Sequence, residues 1–443
     1  MIDSKKLIGE LKERGLLSST SGDLYEVFSK PTTFYVGTDP TGDSLHVGHL
    51  LAFTTAKLLQ SYGHRPIVLV GGFTSKIGDP SFRDTSRPLI TDEQVEYNSE
   101  CIKKQVSKLI DFNSSIENKA IMLNNDDWMG KMNLSDYMKN VAKLTTVNYM
   151  MAKESVKKRL NREGEGISLC EFLYMTAQGY DFLHLYKEYG CRAEIGGQDQ
   201  YGNCTIGLEF IRKSLGKTDA CVLTWPLVTR ADGTKFGKSS NGKNIWLDPN
   251  KTSPFEFYQF WLNQSDEDAE SFIKKFTLIP LDEINVMIEK HRENPSKRYL
   301  QKELAKYMTC LVHSEEAYLN AVEASEILFG KGTTEALGKM DEKTFLDVMK
   351  DVNKVEIDKE KINNGVSVID LAAMHDKVPS KSEARKLIKS NGFSVNKIKP
   401  MSDKEVVTSH YLINGKYLLL QKGKKEYCLV IEKKKKKNIL IGD

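Results

Sequence analysis

The sequence predicts an α/β fold built on a parallel sheet, followed by a helical region and a small, strongly basic α+β domain. A short strand, a helix and a continuous apolar strand follow one another between residues 33 and 72, as in a parallel βαβ unit. Residues 252–330 carry the apolar periodicity of amphipathic helices. Residues 366–443 contain 17 Lys and Arg but only 8 Asp and Glu, whereas the rest of the chain contains 47 and 52.

The first helix and the βαβ unit define the start of the chain. A helix is predicted to begin at Asp3 or Ser4 and to end near Gly15, because a capping side chain and a glycine stand at its two ends. The βαβ unit consists of the strand TFYVGTDP, a helix from His46 to Gly63, and the apolar strand PIVLVGG. Ligands of such sheets bind at the carboxyl ends of the strands.

The remaining patterns complete the predicted domain organisation. The further elements of the first domain are a strand at 120–125, an inserted helical connective segment at about 125–165, a helix at 168–189, the strand and turn CRAEIGGQDQYGN, the strand CVLTWPLVT and a mobile polar loop at 229–244. The predicted domains are a parallel-sheet domain at 1–245, a helical domain at 246–330, a linker at 331–365, a basic domain at 366–432 and a lysine-rich tail at 433–443. The tail either solubilises the chain or binds nucleic acid.

Composition and pattern argue against several classes of protein. No apolar run approaches the roughly 18 residues of a membrane-spanning helix, and the N-terminal residues alternate charged with aliphatic side chains instead of forming a signal-peptide core. The seven cysteines include no CxxC pair, which argues against a disulfide framework and a thiolate zinc site. We therefore expect a cytoplasmic protein, with a bacterial cytosol preferred to an organelle.

Two histidines stand at the start of the helix that follows the first strand of the βαβ unit. His46 and His49 are three residues apart, so both rings are expected on one side of the positive end of the helix. A zinc site would need a further ligand that the sequence does not place beside them. A phosphate site suits free backbone N–H groups and imidazole donors. Two capping histidines without a ligand are the structural alternative.

A second helix carries polar residues where a core helix should be apolar. Tyr174, Gln178 and Asp181 are spaced by four and three residues, which places them on one helix face. The neighbouring Leu173 and Phe182 argue against simple exposure of that face. Because buried polar groups need partners, these side chains form either an internal network or part of a binding site.

Two distant motifs together indicate a family. The turn HVGH at 46–49 and the loop KFGKS at 235–239 resemble the HIGH and KMSKS signatures of class I aminoacyl-tRNA synthetases, and the pair is far more specific than either half. The blocks YVGTDPTGDSLHVGHL, VGGFTSKIGDPS, VNYMMAKESV, IGGQDQYGN, LVTRADGTKFGKS and TSPFEFYQFW narrow the resemblance to tyrosyl-tRNA synthetases of the bacterial and organellar type. The segment PSKSEARKLIKSNGFSVNKIKP resembles an S4 RNA-binding domain.

This resemblance implies a Rossmann-like catalytic domain, a helical domain and an S4-like domain. It also implies a two-step reaction, in which tyrosine and ATP form tyrosyl-adenylate and pyrophosphate before tyrosine passes to the 3′ end of tRNA(Tyr). ATP would enter with Mg²⁺ held mainly by phosphates and water, so neither a prosthetic group nor a protein-only metal site is expected. A homodimer is expected as well.

The resemblance assigns roles to individual residues. The tyrosine-binding residues would be Tyr35, Asp79, Tyr174, Gln178, Asp181 and Gln200, with Tyr174, Gln178 and Asp79 at the ammonium group, Tyr35 and Asp181 at the phenolic hydroxyl, and Gln200 beside the carboxylate. The ATP-binding residues would be Gly37, Asp39, His46, Gly48, His49, Gly197, Asp199 and Lys238. The catalytic residues at the phosphates would be Thr41, His46, His49, Lys235, Lys238, Ser239, Arg83 and Arg87.

Some positions depart from the family pattern. Glu194 stands where many relatives carry Gln, Gln198 where they carry Ser, and Val36 where some carry a polar or thiol side chain. Arg83 replaces a usual lysine and Phe82 a usual glycine. These departures affect the expected affinity for tyrosine or ATP, and they leave the reaction class unchanged.

A basic stripe is predicted on one helix of the C-terminal domain. Lys381, Arg385, Lys386 and Lys389 recur along one side of a helix that is followed by a glycine and a strand. Phosphate contact in folded RNA is the expected role, and a solvated helix face is the alternative.

Other activities agree less well with the sequence. Tyr35 and Asp181 argue against tryptophan charging, and the S4-like domain argues against a small nucleotidyltransferase. A synthetase-derived RNA-binding protein, such as a splicing chaperone without essential ligase activity, remains the alternative from another class. Loss of the HVGH residues or of the KFGKS residues at 235–239, here called the lysine loop, would favour this alternative. Both motifs are present.

Overall fold

The computed structural model describes residues 2–79, 90–113, 115–161, 167–216, 218–238, 242–329, 337–338, 342–349, 352–423 and 426–433. The chain divides into two compact units. The first comprises residues 1–252 and 260–314, and the second comprises residues 253–259 and 315–443. The described residues contain no helix that is both long and apolar enough to span a membrane.

The first unit is built on a six-stranded sheet. Its strands are β1 (Thr20–Ser21), β2 (Thr33–Thr38), β3 (Arg65–Val70), β4 (Ile121–Asn124), β5 (Cys191–Gly197) and β6 (Cys221–Trp225). They lie in the order β1-β6-β5-β2-β3-β4, and all neighbours are parallel except the edge pair β1 and β6. The chain leaves β2 toward β3 and later returns to its other side at β5. This reversal creates a crevice at the carboxyl ends of β2 and β5.

Helices cover the sheet and extend the first unit. In chain order they are α1 (Ser4–Glu13), α2 (Leu24–Val27), α3 (Leu50–Ser61), α4 (Thr74–Ile77), α5 (Asp92–Leu109), α6 (Asp126–Met129), α7 (Leu134–Asn140), α8 (Val147–Met151), α9 (Glu154–Leu160), α10 (Leu169–Tyr189) and α11 (Tyr201–Leu215), followed by α12 (Pro254–Leu262), α13 (Asp266–Phe276), α14 (Leu281–Glu293) and α15 (Tyr299–Val312). Of α12, residues 254–259 belong to the second unit and residues 260–262 to the first. The sequence predicted α1, the βαβ unit and α10 correctly. Asp3 caps α1 and Ser168 caps α10 through hydrogen bonds to backbone N–H groups.

The second unit contains a four-stranded sheet. Its elements are α16 (Glu315–Phe329), α17 (Glu342–Val348), β7 (Asn353–Ile357), α18 (Lys359–Asn363), β8 (Val366–Ser367), α19 (Val368–Met374), α20 (Lys381–Lys389), β9 (Phe393–Val395), β10 (Val406–Val407), β11 (Tyr417–Lys422) and β12 (Glu426–Glu432). The sheet order is β7-β12-β11-β9, with β7 parallel to β12. The linker predicted at 331–365 therefore needs correction over 353–357, because those residues form a strand of this sheet.

A buried histidine gives the first unit a predicted pH dependence. His64 packs edge-on against Phe28 at 4.9 Å between ring centroids, and among the described residues neither of its ring nitrogens has a hydrogen-bond partner. Burial lowers the pKa of His64 to about 4. The unfolded chain therefore binds this proton more readily. The stability that the neutral ring contributes is complete above about pH 6.5 and is lost as the pH falls toward 4.

We expect the free energy of unfolding to fall between pH 7 and pH 4.5, and His64→Leu to reduce that fall by an amount on the order of 2 kcal/mol. Urea unfolding of the two proteins at both pH values measures the difference. His410→Leu is the control, because His410 is exposed. An identical pH dependence in wild type and His64→Leu would show that His64 does not contribute.

Candidate active site

The crevice at the carboxyl ends of β2 and β5 is a cavity of about 480 Å³. It lies within the first unit. It brings together most of the residues that the sequence predicted for a binding site, although they come from separate segments of the chain. The predicted site residues that line the cavity are Tyr35, Gly37, Asp39, Thr41, His46, His49, Asp79, Tyr174, Gln178, Asp181, Gly197, Asp199 and Gln200.

The HVGH turn fixes the tautomers of its two histidines. Nδ1 of His46 accepts from the backbone N–H of Gly48 at 3.0 Å, and Nδ1 of His49 accepts from the backbone N–H of His46 at 3.1 Å. Each neutral ring therefore carries its proton on Nε2. Burial lowers the pKa of His46, which favours the neutral form. A side chain at Gly48 would place Cβ 2.7 Å from the His46 ring, so this close approach requires glycine.

The lysine loop lies against the HVGH turn. The backbone N–H of Val47 donates to the carbonyl of Ile245 at 2.9 Å, and the N–H of Ile245 donates to the carbonyl of Gly237 at 3.1 Å. Phe236 packs among the rings of Phe260, Trp261, Phe272 and Phe276, at centroid distances of 4.8 to 5.7 Å. The two distant motifs of the sequence therefore meet through backbone hydrogen bonds. The mobile loop predicted at 229–244 is anchored at Phe236.

The side chains of Lys235 and Lys238, the two lysines of the KFGKS motif, are exposed. Lys235 and Lys238 bridge to the backbone of Thr229 and Asn244, respectively, and neither is among the described residues that line the cavity. The structure thus places the backbone of the loop beside the cavity without bringing these ammonium groups into it. The remaining predicted phosphate residues, Arg83, Arg87 and Ser239, lie outside the described residues, as does Phe82.

A buried carboxylate lies at one end of the cavity. Asp181 is 2% exposed. Nδ2 of Asn125 donates to its Oδ2 at 3.0 Å, and Nε1 of Trp128 donates to its Oδ1 at 2.7 Å. Burial raises the pKa of Asp181 to about 7, whereas the two hydrogen bonds favour the ionised form. Asp181 is thus a buried acceptor whose two oxygens are fixed in position by Asn125 and Trp128.

Tyr35 stands beside Asp181 in the same cavity. Its hydroxyl is buried beside the Glu194 carboxyl group and makes no well-formed hydrogen bond among the described residues. Burial, followed by the neighbouring Glu194 carboxyl, raises the pKa of Tyr35 well above its usual value. A buried hydroxyl without a partner is costly. The pair of Tyr35 and Asp181 therefore suits a ligand that itself carries a hydroxyl group.

Asp39 is held by two hydroxyl groups. The Tyr174 hydroxyl donates to Oδ2 of Asp39 at 2.8 Å, and the Thr74 hydroxyl donates to Oδ1 at 2.8 Å. Gly71 permits this arrangement, because a Cβ there would lie 2.0 Å from Asp39 Oδ1. Asp39 thereby connects the end of β2 with α10, and it presents negative charge near Thr41 and His49 in the cavity lining.

A chain of amides crosses the cavity from Glu194 to Asp79. Nε2 of Gln178 donates to Oε1 of Glu194 at 2.9 Å, and Nδ2 of Asn203 donates to Oε1 of Gln178 at 3.0 Å. The same Nδ2 donates to Oε1 of Gln200 at 3.2 Å, and Nε2 of Gln200 donates to Oδ2 of Asp79 at 2.8 Å. Carboxyl groups thus stand at both ends of the chain.

Asp199 lies beside this chain at the end of β5. Burial, followed by the charge of Asp79, raises the pKa of Asp199. The cavity therefore holds five carboxyl groups, those of Asp39, Asp79, Asp181, Glu194 and Asp199. Such a concentration suits a ligand with an ammonium group and several hydroxyl groups. Among the described residues, no group of three or more His, Cys, Asp or Glu side chains could hold a metal ion.

The basic stripe lies in the second unit. Lys381, Arg385, Lys386 and Lys389 are exposed on α20, whose opposite face buries Ala384 and Ile388. Lys381 pairs with Asp370 at 2.6 Å. The predicted helix, its basic face and the strand β9 that follows are thus present.

Comparison with known proteins identifies the family. Residues 29–330 match the family model "tRNA synthetases class I (W and Y)", and residues 344–430 match the model "Tyrosine--tRNA ligase SYY-like C-terminal domain". The chain is 49% identical to a tyrosine–tRNA ligase of Bacteroides thetaiotaomicron over 96% of its own length and 99% of that protein. It is 49% identical to a tyrosine–tRNA ligase of Porphyromonas gingivalis over the same shares. The chain belongs to the tyrosine–tRNA ligase family.

A solved structure supports this assignment. The crystal structure of a C-terminally truncated mitochondrial tyrosyl-tRNA synthetase from Coccidioides posadasii superimposes with a TM-score of 0.62, at 30% identity, over 72% of this chain and 91% of that protein. The predicted Rossmann-like α/β fold and the predicted class I synthetase family are therefore confirmed. The alternative of a synthetase-derived RNA-binding protein has no support among these tyrosine–tRNA ligases.

Of the residues that depart from the tyrosine–tRNA ligase pattern, Gln198 and Glu194 have hydrogen-bond partners in the structure. Gln198 lies outside the cavity lining, where its Nε2 donates to Ser19 Oγ at 2.9 Å and its Oε1 accepts from Thr224 Oγ1 at 2.9 Å. Gln198 thus ties the end of β5 to β6 and to the residue that precedes β1. Glu194 is 2% exposed and lies in the cavity itself. Val36 is a buried residue of β2 that also lines the cavity.

Asn125 and Trp128, which hold Asp181, are not among the residues predicted from the sequence. They lie at the end of β4 and in the short helix α6, and only the fold brings them to α10. The dipeptide NN at the end of a predicted strand was the available signal, because ligand-binding residues follow the carboxyl ends of parallel strands.

Proposed function

We propose that the cavity activates L-tyrosine with ATP and that the chain then transfers tyrosine to the 3′ end of tRNA(Tyr). The observation that carries the proposal is the placement of Tyr35 and the held Asp181 in the same cavity as the HVGH turn. The phenolic hydroxyl of tyrosine would donate to Asp181 and accept from Tyr35. Phenylalanine would offer neither a donor to Asp181 nor an acceptor to the Tyr35 hydroxyl, which a polar pocket penalises strongly.

The ammonium and carboxylate groups of tyrosine, together with ATP, would bind to the remaining hydrogen-bond acceptors and donors of the cavity. Gln178, Tyr174 and Asp79 would surround the ammonium group, with Gln200 beside the reacting carboxylate. Asp39 and the backbone at Gly37 and Gly197 would face adenosine, and Asp199 would accept from the ribose hydroxyls. The order of these groups from Asp181 to the HVGH turn would set the carboxylate of tyrosine against the α-phosphorus of ATP.

The reaction needs charge stabilisation more than a protein nucleophile. The tyrosine carboxylate attacks the α-phosphorus, and the negative charge moves onto the departing pyrophosphate. Donors placed where that charge develops lower the barrier. The Nε2–H groups of His46 and His49, together with Thr41, would supply such donors, and Lys235, Lys238, Ser239, Arg83 and Arg87 would approach the pyrophosphate. Mg²⁺ would enter as part of the MgATP substrate.

The second unit would bind tRNA. The exposed basic face of α20 presents Arg385, Lys386 and Lys389, with Lys381 at its start. Cationic side chains on one helix face suit the phosphates of folded RNA. We place the enzyme in the cytosol of a bacterium. All seven cysteines are free thiols, which suits a reducing compartment.

The enzyme would act as a homodimer. Two short helices of the connective segment each expose an apolar pair one turn apart, Leu134 with Met138 on α7 and Val147 with Met151 on α8, and all four side chains are 44 to 72% exposed. Exposed apolar residues in such numbers mark an interaction surface. We expect light scattering to give twice the 50.2 kDa chain mass, and Leu134→Glu with Met138→Glu to give monomers. A dimer that persists in the double variant would place the interface elsewhere.

The deciding experiment for the activity is amino-acid-dependent exchange of labelled pyrophosphate into ATP without tRNA. We expect exchange with tyrosine and none with phenylalanine or tryptophan. Exchange with tryptophan alone would contradict the assignment of Tyr35 and Asp181. No exchange with any of the three, from folded protein, would contradict the activation step.

A further inference from the structure

The carboxyl group of Glu194 is buried in the cavity, and its burial is energetically unfavourable. It lies on β5, paired in register with Tyr35 on β2, and is 2% exposed. Its Oε1 accepts from Nε2 of Gln178, whereas its Oε2 makes no well-formed hydrogen bond among the described residues, although the Tyr35 hydroxyl and the Cys204 thiol lie beside the carboxyl group. No lysine or arginine compensates it among the described residues that line the cavity. A buried carboxyl of this kind needs a functional reason.

The two ends of the Gln178 amide have different partners. Its Nε2 faces Glu194 Oε1 at 2.9 Å, and its Oε1 faces Nδ2 of Asn203 at 3.0 Å. The inverted amide would set two donors against each other at Asn203 and two acceptors against each other at Glu194. Glu194 Oε1 is an acceptor whether the carboxyl group is ionised or protonated on Oε2. The orientation of Gln178 is therefore fixed from both sides.

We infer that Glu194 is a positioning residue for the substrate ammonium group, because it holds the amide of Gln178 with its carbonyl oxygen available as an acceptor. An ammonium group can only donate hydrogen bonds. Gln178 binds it through Oε1, which has a second lone pair beside the one that Asn203 uses. This inference rests on the proposed function, in which Gln178 contacts the ammonium group of tyrosine.

The inference predicts a selective effect on tyrosine binding. In Glu194→Ala, Nε2 of Gln178 loses its oxygen acceptor and keeps only the weaker acceptor Cys204 Sγ at 3.8 Å, so the amide is held less firmly. We expect the KM for tyrosine to rise about tenfold or more, the range for a lost hydrogen bond to a charged group. The KM for ATP and kcat should change by less than about threefold. Glu194→Gln should restore the KM for tyrosine to near the wild-type value, because the glutamine carbonyl can accept from Gln178 in the same place.

Pyrophosphate exchange by the full chain measures these constants, with circular dichroism and thermal unfolding as checks on folding. Glu171→Ala is the matched control. Glu171 is also buried and lies on α10 with Gln178, but it closes the capping box with Ser168 away from the cavity lining. Its removal should lower thermal stability and leave the KM for tyrosine unchanged.

An unchanged KM for tyrosine in Glu194→Ala would overturn the inference, and so would a Glu194→Gln variant as impaired as Glu194→Ala. If Glu194→Ala does not fold, Asn203→Asp tests the other side of the same amide by setting an acceptor against Oε1 of Gln178. The KM for tyrosine should then rise, and an unchanged KM would overturn the inference. Wild-type protein without tyrosine-dependent exchange would instead contradict the proposed function.

Discussion

Asp181→Ala should lose most of the preference for tyrosine over phenylalanine. Asn125 and Trp128 hold both oxygens of this carboxylate, so the wild-type cavity presents a fixed acceptor to a phenolic hydroxyl. Tyrosine-charging enzymes are known to reject phenylalanine by a factor of about 10⁵. We expect kcat/KM for tyrosine to fall by at least about 10²-fold, because the variant removes a charge-assisted hydrogen bond to the substrate and takes an acceptor away from Asn125 and Trp128.

Phenylalanine should respond differently to the same substitution. Its binding to the wild-type cavity would leave Asp181 without a ligand donor, and the variant removes that penalty. Its kcat/KM should therefore stay constant or rise. Pyrophosphate exchange with each amino acid gives both values. Asp127→Ala is the control, because Asp127 is an exposed carboxylate on the same helix as Trp128. If the ratio of kcat/KM for tyrosine to kcat/KM for phenylalanine stays at its wild-type level, Asp181 does not recognise the phenolic hydroxyl group of tyrosine.

Reversing two charges on α20 should separate tRNA charging from amino-acid activation. Arg385→Glu with Lys386→Glu places two negative charges on the exposed face proposed to contact phosphates. We expect the KM for tRNA to rise by about 10²-fold near physiological salt, and the salt dependence of binding to become shallower, since each lost phosphate contact lowers the slope by about 0.7 to 0.9. Tyrosine-dependent pyrophosphate exchange should be unchanged, because the cavity lies within the other unit.

The control for this variant reverses two exposed lysines of the second unit that are already paired, Lys359 with Glu432 and Lys416 with Glu342. Equal losses of charging in both double variants would mean that general charge matters and that α20 is not specific. Substitution is a sharper experiment than deletion of residues 366–443. That deletion would remove β12, the parallel partner of β7, and leave 353–357 unpaired.

The sequence predicted the parts of the fold that rest on local signals. The apolar run of β3 and the capping residues at Asp3 and Ser168 identify their elements without help from distant residues. The HVGH and KFGKS motifs identified the family because they are specific as a pair. The same reasoning located the basic face of α20, since charge at helical spacing is visible in a single segment.

What the sequence could not supply depends on partners far along the chain. β7 reads as a charged linker because most of its side chains are exposed, and only pairing with β12 more than 70 residues later makes it a strand. Asn125 and Trp128 contact Asp181 across more than 50 residues. Phe236 is a single aromatic residue in a polar loop. The residues around it in the sequence do not indicate that its ring packs against four other aromatic rings.

The link between the two signature motifs also bears on which changes the chain can tolerate during evolution. Val47, Ile245 and Gly237 are joined through backbone groups alone, so substitutions that conserve size at 47 and 245 leave the connection intact. An insertion or deletion between 237 and 245 would shift the register of these backbone hydrogen bonds and separate the lysine loop from the HVGH turn. The spacing of this segment should therefore be more constrained than its composition.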